Sequence, residues 1–123
     1  MSATAADYIA RIWQARESWC DLAPGKRVKV RRPGELAMRQ LAGGGATLEK
    51  LCSCVVAWDG ITEGDLFDGG SENYVPFDAG VWAEAVADHA EWAALVAAHV
   101  TQLITEHMAK REATRGNLQP SSM

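Results

Sequence analysis

The spacing of apolar residues near the start of the chain predicts an amphipathic helix, because one face repeats every three or four positions. The residues on this face are Tyr8, Ile9, Ile12, Trp13, Arg16, Trp19 and Cys20. A helix of this length would carry Trp13 and Trp19 on the same side. Pro24-Gly25 then interrupts the chain and ends the element.

A short alternating segment follows at Lys26–Arg32, where Val28 and Val30 alternate with basic residues. This alternation predicts a half-buried strand with a cationic outer face. The next segment, Gly34–Leu41, is predicted to form a short helix. Gly43-Gly44-Gly45 is expected to act as a flexible joint after it.

The segment Thr47–Asp59 fits two patterns. The alternation around Cys52-Ser53-Cys54 and the pair Val55-Val56 favour a strand. A helical stripe is also present, formed by Leu48, Leu51, Cys52, Val55 and Trp58. Thr47 is a suitable N-cap, and Gly60 is suited to the left-handed position that closes a helix, with Ile61 folding back onto Val56. We therefore interpret this segment as a helix.

The C-terminal half is predicted to contain a loop and two helices. Glu63–Asn73 is rich in Gly, Asp and Ser and is expected to be a loop. Asp78 is a predicted N-cap for a helix that ends at about Ala87, with Phe77 packing against Trp82. The last predicted helix, Glu91–Arg111, has an apolar stripe made of Trp92, Leu95, Val96, Val100, Leu103, Ile104 and Met108.

These elements predict an α+β fold that is predominantly α-helical, with four to five helices and a small β element near residues 26–32. The length of 123 residues, the hydrophobic content of 48% and the charged content of 23% fit one folded domain. We expect residues 1–115 to form this single helical domain and residues 116–123 to form a flexible tail. No apolar run reaches the roughly 18 residues of a membrane span, and the N-terminus lacks a secretory signal. A cytoplasmic location with reduced cysteines is the expectation.

Charge is distributed unevenly along the chain. Residues 1–50 have a net charge of +4, residues 51–105 have −9 and no Lys or Arg, and the remainder has +1. Such asymmetry serves internal pairing, head-to-tail self-association or binding to an oppositely charged partner. Internal pairing is the simplest of the three.

The residue types that carry metal chemistry or catalysis do not form a recognised motif. Cys52-Ser53-Cys54 lacks the second close pair of a zinc site, and the three histidines, His89, His99 and His107, form no HExxH arrangement. The loop acids do not follow the ligand order of an EF-hand; they are Asp59, Glu63, Asp65, Asp68 and Glu72. We therefore expect no metal, no cofactor and no enzymatic activity.

The basic segment Lys26–Arg32 is the one candidate for nucleic-acid binding, since five bases in seven residues could neutralise several phosphates. The acidic pI of about 5.3 and the absence of an accompanying aromatic platform argue against this. A structural alternative is a cationic strand that protects an exposed sheet edge. The preferred functional interpretation is that Arg27, Lys29 and Arg31 dock an acidic protein segment, including the loop of another copy.

Five tryptophans in 123 residues exceed what one modest core must bury. We expect some of Trp13, Trp19, Trp82 and Trp92 to line a binding face, since aromatic side chains are favoured interface anchors. The alternative is that all five lie in the core. A homo-oligomer is also expected, with the stripe of the last helix packed against a second copy.

Several short motifs resemble those of tail assembly chaperones of long-tailed bacteriophages and prophages, over about residues 20–112. The matching residues are Val55, Val56, Trp58, Asp59, Gly60 and Ile61, then Val75, Pro76, Phe77 and Asp78, then Trp82 and Trp92, together with Arg31-Arg32-Pro33.

This resemblance implies a small, mostly helical protein that binds the tape measure protein and keeps its long hydrophobic helices soluble. It also implies recruitment of tail tube subunits, residence in the cytoplasm of the bacterial host and absence from the mature virion. No catalytic residues follow from it. The candidate partner-binding residues are Trp58, Asp59, Trp82, Trp92, Arg27, Lys29 and Arg31. Two alternatives stay open, namely another morphogenesis protein of the head–tail completion type and a small nucleic-acid-binding regulator that uses Lys26–Arg32.

Overall fold

The computed structural model describes residues 2–118, which contain six α-helices and a three-stranded sheet. In chain order the elements are α1 Ala5–Ala15, β1 Glu17–Ala23, β2 Lys26–Arg31, α2 Glu35–Gln40, α3 Leu48–Cys52, β3 Val55–Asp59, α4 Glu63–Leu66, α5 Ala79–Ala87 and α6 Ala90–Leu118. A π-helical turn, Leu41–Gly45, follows α2. The predicted fold class, α+β and mostly helical, is confirmed.

The sheet is antiparallel with the order β1-β2-β3, so the basic segment forms its central strand. Val28 and Val30 are fully buried on one face of β2, as the alternation predicts. The half-buried cationic strand is therefore confirmed. The alternative in which this strand protects an exposed edge is wrong, because β1 and β3 pair with it on both sides.

The core lies between one face of the sheet and helix α6. Cys20 and Leu22 of β1, with the two valines of β2, face a stripe of α6 that contains Trp92, Val96 and Val100. Val96 and Val100 are fully buried, and each such side chain contributes about 1.5–3 kcal/mol to folding. The expected packing of the α6 stripe against a second copy is therefore wrong for these positions, since the chain's own sheet covers them.

The first helix is shorter than the apolar spacing predicts. Helix α1 begins after the N-cap Thr4, whose hydroxyl accepts a bond from Asp7 N, and ends at Ala15. Trp19 and Cys20 lie in strand β1, where Cys20 pairs with Val28. The prediction of one continuous helix through Cys20 is wrong, because the hydrogen bonds to β2 extend the chain from Glu17 onward.

The segment Thr47–Asp59 is divided between two elements, so its interpretation as a single helix is also wrong. Thr47 caps a short helix, as predicted, but this helix ends at Cys52. From Val55 the chain is extended and pairs with β2, with Trp58 opposite Val28. The local apolar spacing fits both structures, and the long-range pairing with β2 decides between them.

Gly60 has a positive φ of 83°, but it follows a strand rather than a helix. A Cβ at this position would collide with the carbonyl oxygen of Gly25 in the turn between β1 and β2. Glycine is therefore required here both for backbone conformation and for the close approach of two turns. The predicted Schellman ending is wrong, whereas the need for a left-handed residue at Gly60 is confirmed.

The prediction that Glu63–Asn73 is a loop throughout is wrong for its first four residues, which are helical. Helix α4 occupies Glu63–Leu66. An isolated antiparallel bridge between Thr62 and Tyr74 brings the two ends of the segment together.

The N-cap of α5 is the residue that the sequence predicts, and the ring of Phe77 before it pairs edge-on with Trp58. Asp78 accepts a hydrogen bond from Val81 N at 3.0 Å, and the helix ends at Ala87. Helix α6 extends beyond the predicted end at Arg111 as far as Leu118, so residues 116–118 of the expected tail belong to this helix. Residues 119–123 lie outside the described part of the chain.

Candidate partner-binding surfaces

An open groove of about 610 Å³ lies between α3, α5 and the beginning of α6. Small side chains line much of it, namely Ala79, Ala83, Ala87, Ala90 and Ala93. Leu48, Val55 and Trp82 form the larger apolar walls. We call this feature the alanine groove. Small residues allow a foreign helix or a bulky apolar side chain to approach the backbone of α5 closely.

Trp82 fixes one wall of the alanine groove. Its indole Nε1–H donates to the carbonyl oxygen of Cys52 at 2.9 Å, which joins α5 to the end of α3. The ring also stacks on Trp92 with centroids 6.3 Å apart and an interplanar angle of 10°. His89, in the break between α5 and α6, stacks on the same Trp92 ring at 3.9 Å. These contacts hold the three helices at a fixed spacing.

The rim of the alanine groove is acidic. Glu49 of α3 and Glu84 of α5 line it and are exposed, and neither forms a salt bridge within the described residues. Such a surface suits an apolar helix with basic flanks, since the apolar side chains fill the floor and the cations approach the rim.

Two of the candidate residues predicted from the sequence, Trp82 and Trp92, lie in the core. Their exposed fractions are 2% and 6%, and their contacts are those that support the groove. These two rings are therefore not among the tryptophans on an exposed face, although Trp82 lines the alanine groove. Trp13 and Trp19 are the more exposed pair, at 45% and 36%, so the alternative in which all five tryptophans are core residues is also wrong.

Trp58 and Asp59 are positioned by neighbouring elements of the same chain. The indole of Trp58 donates to the carbonyl oxygen of Val75 at 2.6 Å, and its ring meets that of Phe77 edge-on at 5.2 Å. These contacts fix the Val-Pro-Phe segment that leads into α5. Asp59 pairs with Arg27 at 3.3 Å between carboxylate and guanidinium.

The outer face of the sheet carries the three remaining candidates, Arg27, Lys29 and Arg31. Carboxylates lie directly opposite two of them, because Asp21 and Asp59 flank Arg27 and Glu17 is opposite Arg31. Glu17 forms a 2.8 Å salt bridge with Arg31. Three bases thus face three acids, which argues against a strongly cationic surface and hence against nucleic-acid binding.

Aromatic rings accompany these cations. The Arg27 guanidinium lies 4.0 Å from the Trp19 centroid, the Lys29 ammonium 5.1 Å from the same ring, and the Arg31 guanidinium 4.4 Å from Trp13. The sequence alone does not indicate these aromatic neighbours of the basic strand. If Glu17–Ala23 is read as a strand paired with β2, Trp19 lies opposite Lys29, and its contact with the basic side chains can be predicted.

One base of strand β2 pairs with an acid of the segment Glu63–Asn73. The Lys26 ammonium contacts the Asp65 carboxylate at 2.7 Å, and the same oxygen accepts from the Thr62 amide at 2.8 Å. Burial alone raises the pKa of Asp65, but the hydrogen bonds from Lys26 and Thr62 outweigh it and hold the pKa below its usual range. Bonds from Ser71 likewise lower the pKa of Glu63.

Within residues 2–118 no group of three His, Cys, Asp or Glu side chains is placed to hold a metal ion. The three cysteines are free thiols, and burial raises the pKa of each. Their thiolate forms are therefore disfavoured at neutral pH. The histidines lie apart; His99 Nε2 is 2.7 Å from Ser18 Oγ, and His107 Nε2 is 2.8 Å from Glu35.

No protein-family model matches the chain, and no curated protein or solved structure with which it was compared matches it either. Among the described helices, none combines the length and apolar character needed to cross a membrane.

Proposed function

We propose that this chain is a tail assembly chaperone of a long-tailed bacteriophage or prophage, and that it binds helices of the tape measure protein in the alanine groove. The open apolar groove is the observation that carries this proposal. The motif resemblance around Trp58-Asp59-Gly60 and Val75-Pro76-Phe77-Asp78 supports it, because these segments position α5, one wall of the groove. Recruitment of tail tube subunits belongs to the same proposal.

The chemistry of the groove fits a client that is helical and apolar. A long helix with an unburied apolar face aggregates unless that face is covered, and the alanine-lined floor offers such cover. Glu49 and Glu84 select among apolar helices for those with Lys or Arg beside the apolar face.

Co-expression with the tape measure protein encoded in the same gene neighbourhood tests the proposal. Ala83 is exposed at the groove, so Ala83→Glu places a carboxylate where the client helix would bind. Ala98→Glu adds the same charge at an exposed position of α6 away from the groove. We expect Ala83→Glu to lower the amount of co-purified tape measure protein by about tenfold or more, because the client would bury an unpaired charge.

The Ala98→Glu control should retain the yield of the unaltered chain. Because both positions are exposed, the free energy of unfolding of each variant should lie within about 0.5 kcal/mol of that of the unaltered chain. Equal capture by Ala83→Glu and Ala98→Glu would show that the alanine groove is not the binding site. Failure of the unaltered chain to capture the tape measure protein or to raise its soluble fraction would refute the chaperone function itself.

A further inference from the structure

Helix α1 carries an apolar stripe that its own chain leaves about half exposed. The stripe consists of Tyr8, Ile9, Ile12 and Trp13, whose exposed fractions are between 45% and 56%, and no residue of α1 is buried. The helix is nevertheless well formed at its beginning, since Thr4 and Asp7 cap it reciprocally. A contiguous exposed apolar face on a regular helix is typical of an interaction site.

The base of α1 is fixed far from the chain's own alanine groove. Only Arg16 separates α1 from β1, and its carbonyl oxygen accepts a bond from Arg32 N. This base lies beside Leu103 and Lys110 of α6. The groove uses Ala90 and Ala93, at least ten residues earlier in α6, a separation of about 15 Å along the helix.

Trp13 is also held over Arg31 on the outer face of the sheet, whereas the groove lies on the opposite, helical side. The α1 stripe of one copy therefore does not enter the groove of the same copy.

We propose that the α1 stripe of one copy docks in the alanine groove of a second copy. The two surfaces match in chemistry, because one is an apolar helix face and the other is an apolar groove lined by small residues. They also match in charge. Arg11 is an exposed base of α1 without a salt bridge among the described residues, and the groove rim carries Glu49 and Glu84.

Because the α1 stripe and the groove lie on opposite sides of the chain, this docking is head-to-tail, and its repetition builds a ring or an open chain of copies. The proposal uses the groove of the proposed function but does not depend on the tape measure protein. A client helix and α1 occupy the same site, so client binding displaces the second copy.

Sedimentation equilibrium of the purified chain and three single variants tests this docking. Ile12→Glu places a charge in the α1 stripe, Ala83→Glu disables the groove, and Gln14→Glu adds the same charge on the opposite side of α1. The unaltered chain and Gln14→Glu should show a mass above the 13.3 kDa of one chain. Ile12→Glu and Ala83→Glu alone should each sediment as monomers.

An equimolar mixture of the two disabled variants gives the sharpest result. Ala83→Glu retains a functional α1, and Ile12→Glu retains a functional groove. In the mixture, α1 of the first variant should therefore bind the groove of the second, which gives a complex of two chains with one interface. Thermal unfolding of each variant shows whether it is folded, and the exposure of Ile12 and Ala83 predicts that both are.

A monomeric unaltered chain, a persistent oligomer in Ile12→Glu, or a mixture that stays monomeric would overturn the docking proposal. Capture of the tape measure protein by the two variants distinguishes failure of the docking proposal from failure of the proposed function. Ile12→Glu leaves the groove intact and should still capture the client, whereas Ala83→Glu should not.

Discussion

At the scale of single residues, the charge asymmetry of the chain is resolved into a few specific contacts. Two salt bridges join β2 to acids within residues 51–105: Lys26 contacts Asp65 at 2.7 Å, and Arg27 contacts Asp59 at 3.3 Å. The side chains of Lys26 and Asp65 are only 28% and 16% exposed, so solvent screens their interaction less than that of a surface pair. Internal pairing therefore accounts for part of the asymmetry.

Asp65→Asn should make the free energy of unfolding depend less on pH in the acidic range. The pKa of Asp65 is lowered in the folded chain, so its contribution is present above the usual Asp pKa of about 3.9 and is lost as the pH falls through the lower folded value. We expect the substitution to lower the free energy of unfolding by about 1–2 kcal/mol at pH 7 and by much less near pH 3. Urea unfolding at both pH values measures this.

Asp68→Asn is the matched control, because Asp68 is exposed and forms no salt bridge within the described residues. It should change the free energy of unfolding by less than about 0.5 kcal/mol. A loss for Asp65→Asn that is the same at pH 3 and pH 7 would contradict the assigned role of its charge.

At the scale of elements, the sequence predicts those parts of the fold that local chemistry decides. The Asp78 cap and the end of α5 at Ala87 follow from side-chain capping and helical periodicity. The alternation of Val28 and Val30 with bases likewise identifies β2. The sequence does not predict β1 and β3, because Trp19 and Val55 satisfy a helical spacing as well as a strand, and only pairing with β2 selects the strand.

The turn at Gly60 has no room for a side chain. Gly60→Ala combines a positive φ with a collision against the Gly25 carbonyl oxygen, so we expect a loss of about 2–4 kcal/mol in the free energy of unfolding. Gly69 has nearly the same φ, 82°, but open space around its Cα. Gly69→Ala should therefore cost only about 1–2 kcal/mol. Equal losses for the two variants, measured by urea unfolding, would show that the close approach of the turns is unimportant.

At the scale of the whole molecule, the two faces of the sheet have different roles. Helix α6 covers one face and, with α3 and α5, forms the alanine groove; the other face carries Trp19 and the basic residues of β2. The sequence predicts that the basic residues of β2 share an outer face and that some tryptophans lie outside the core. It does not predict the groove, because alanines such as Ala83 and Ala87 carry no distinctive signal until α3 and α5 are placed side by side.

Alanine-methyl NMR measures whether the alanine groove binds a partner helix. The chain, labelled at alanine methyl groups, is titrated with the tape measure segment that co-purifies with it. We expect the methyl signals of Ala79, Ala83 and Ala87 to shift, while those of Ala57 on the outer sheet face and Ala98 on α6 stay in place. A shift at Ala57 with unchanged signals from the groove alanines would contradict this expectation.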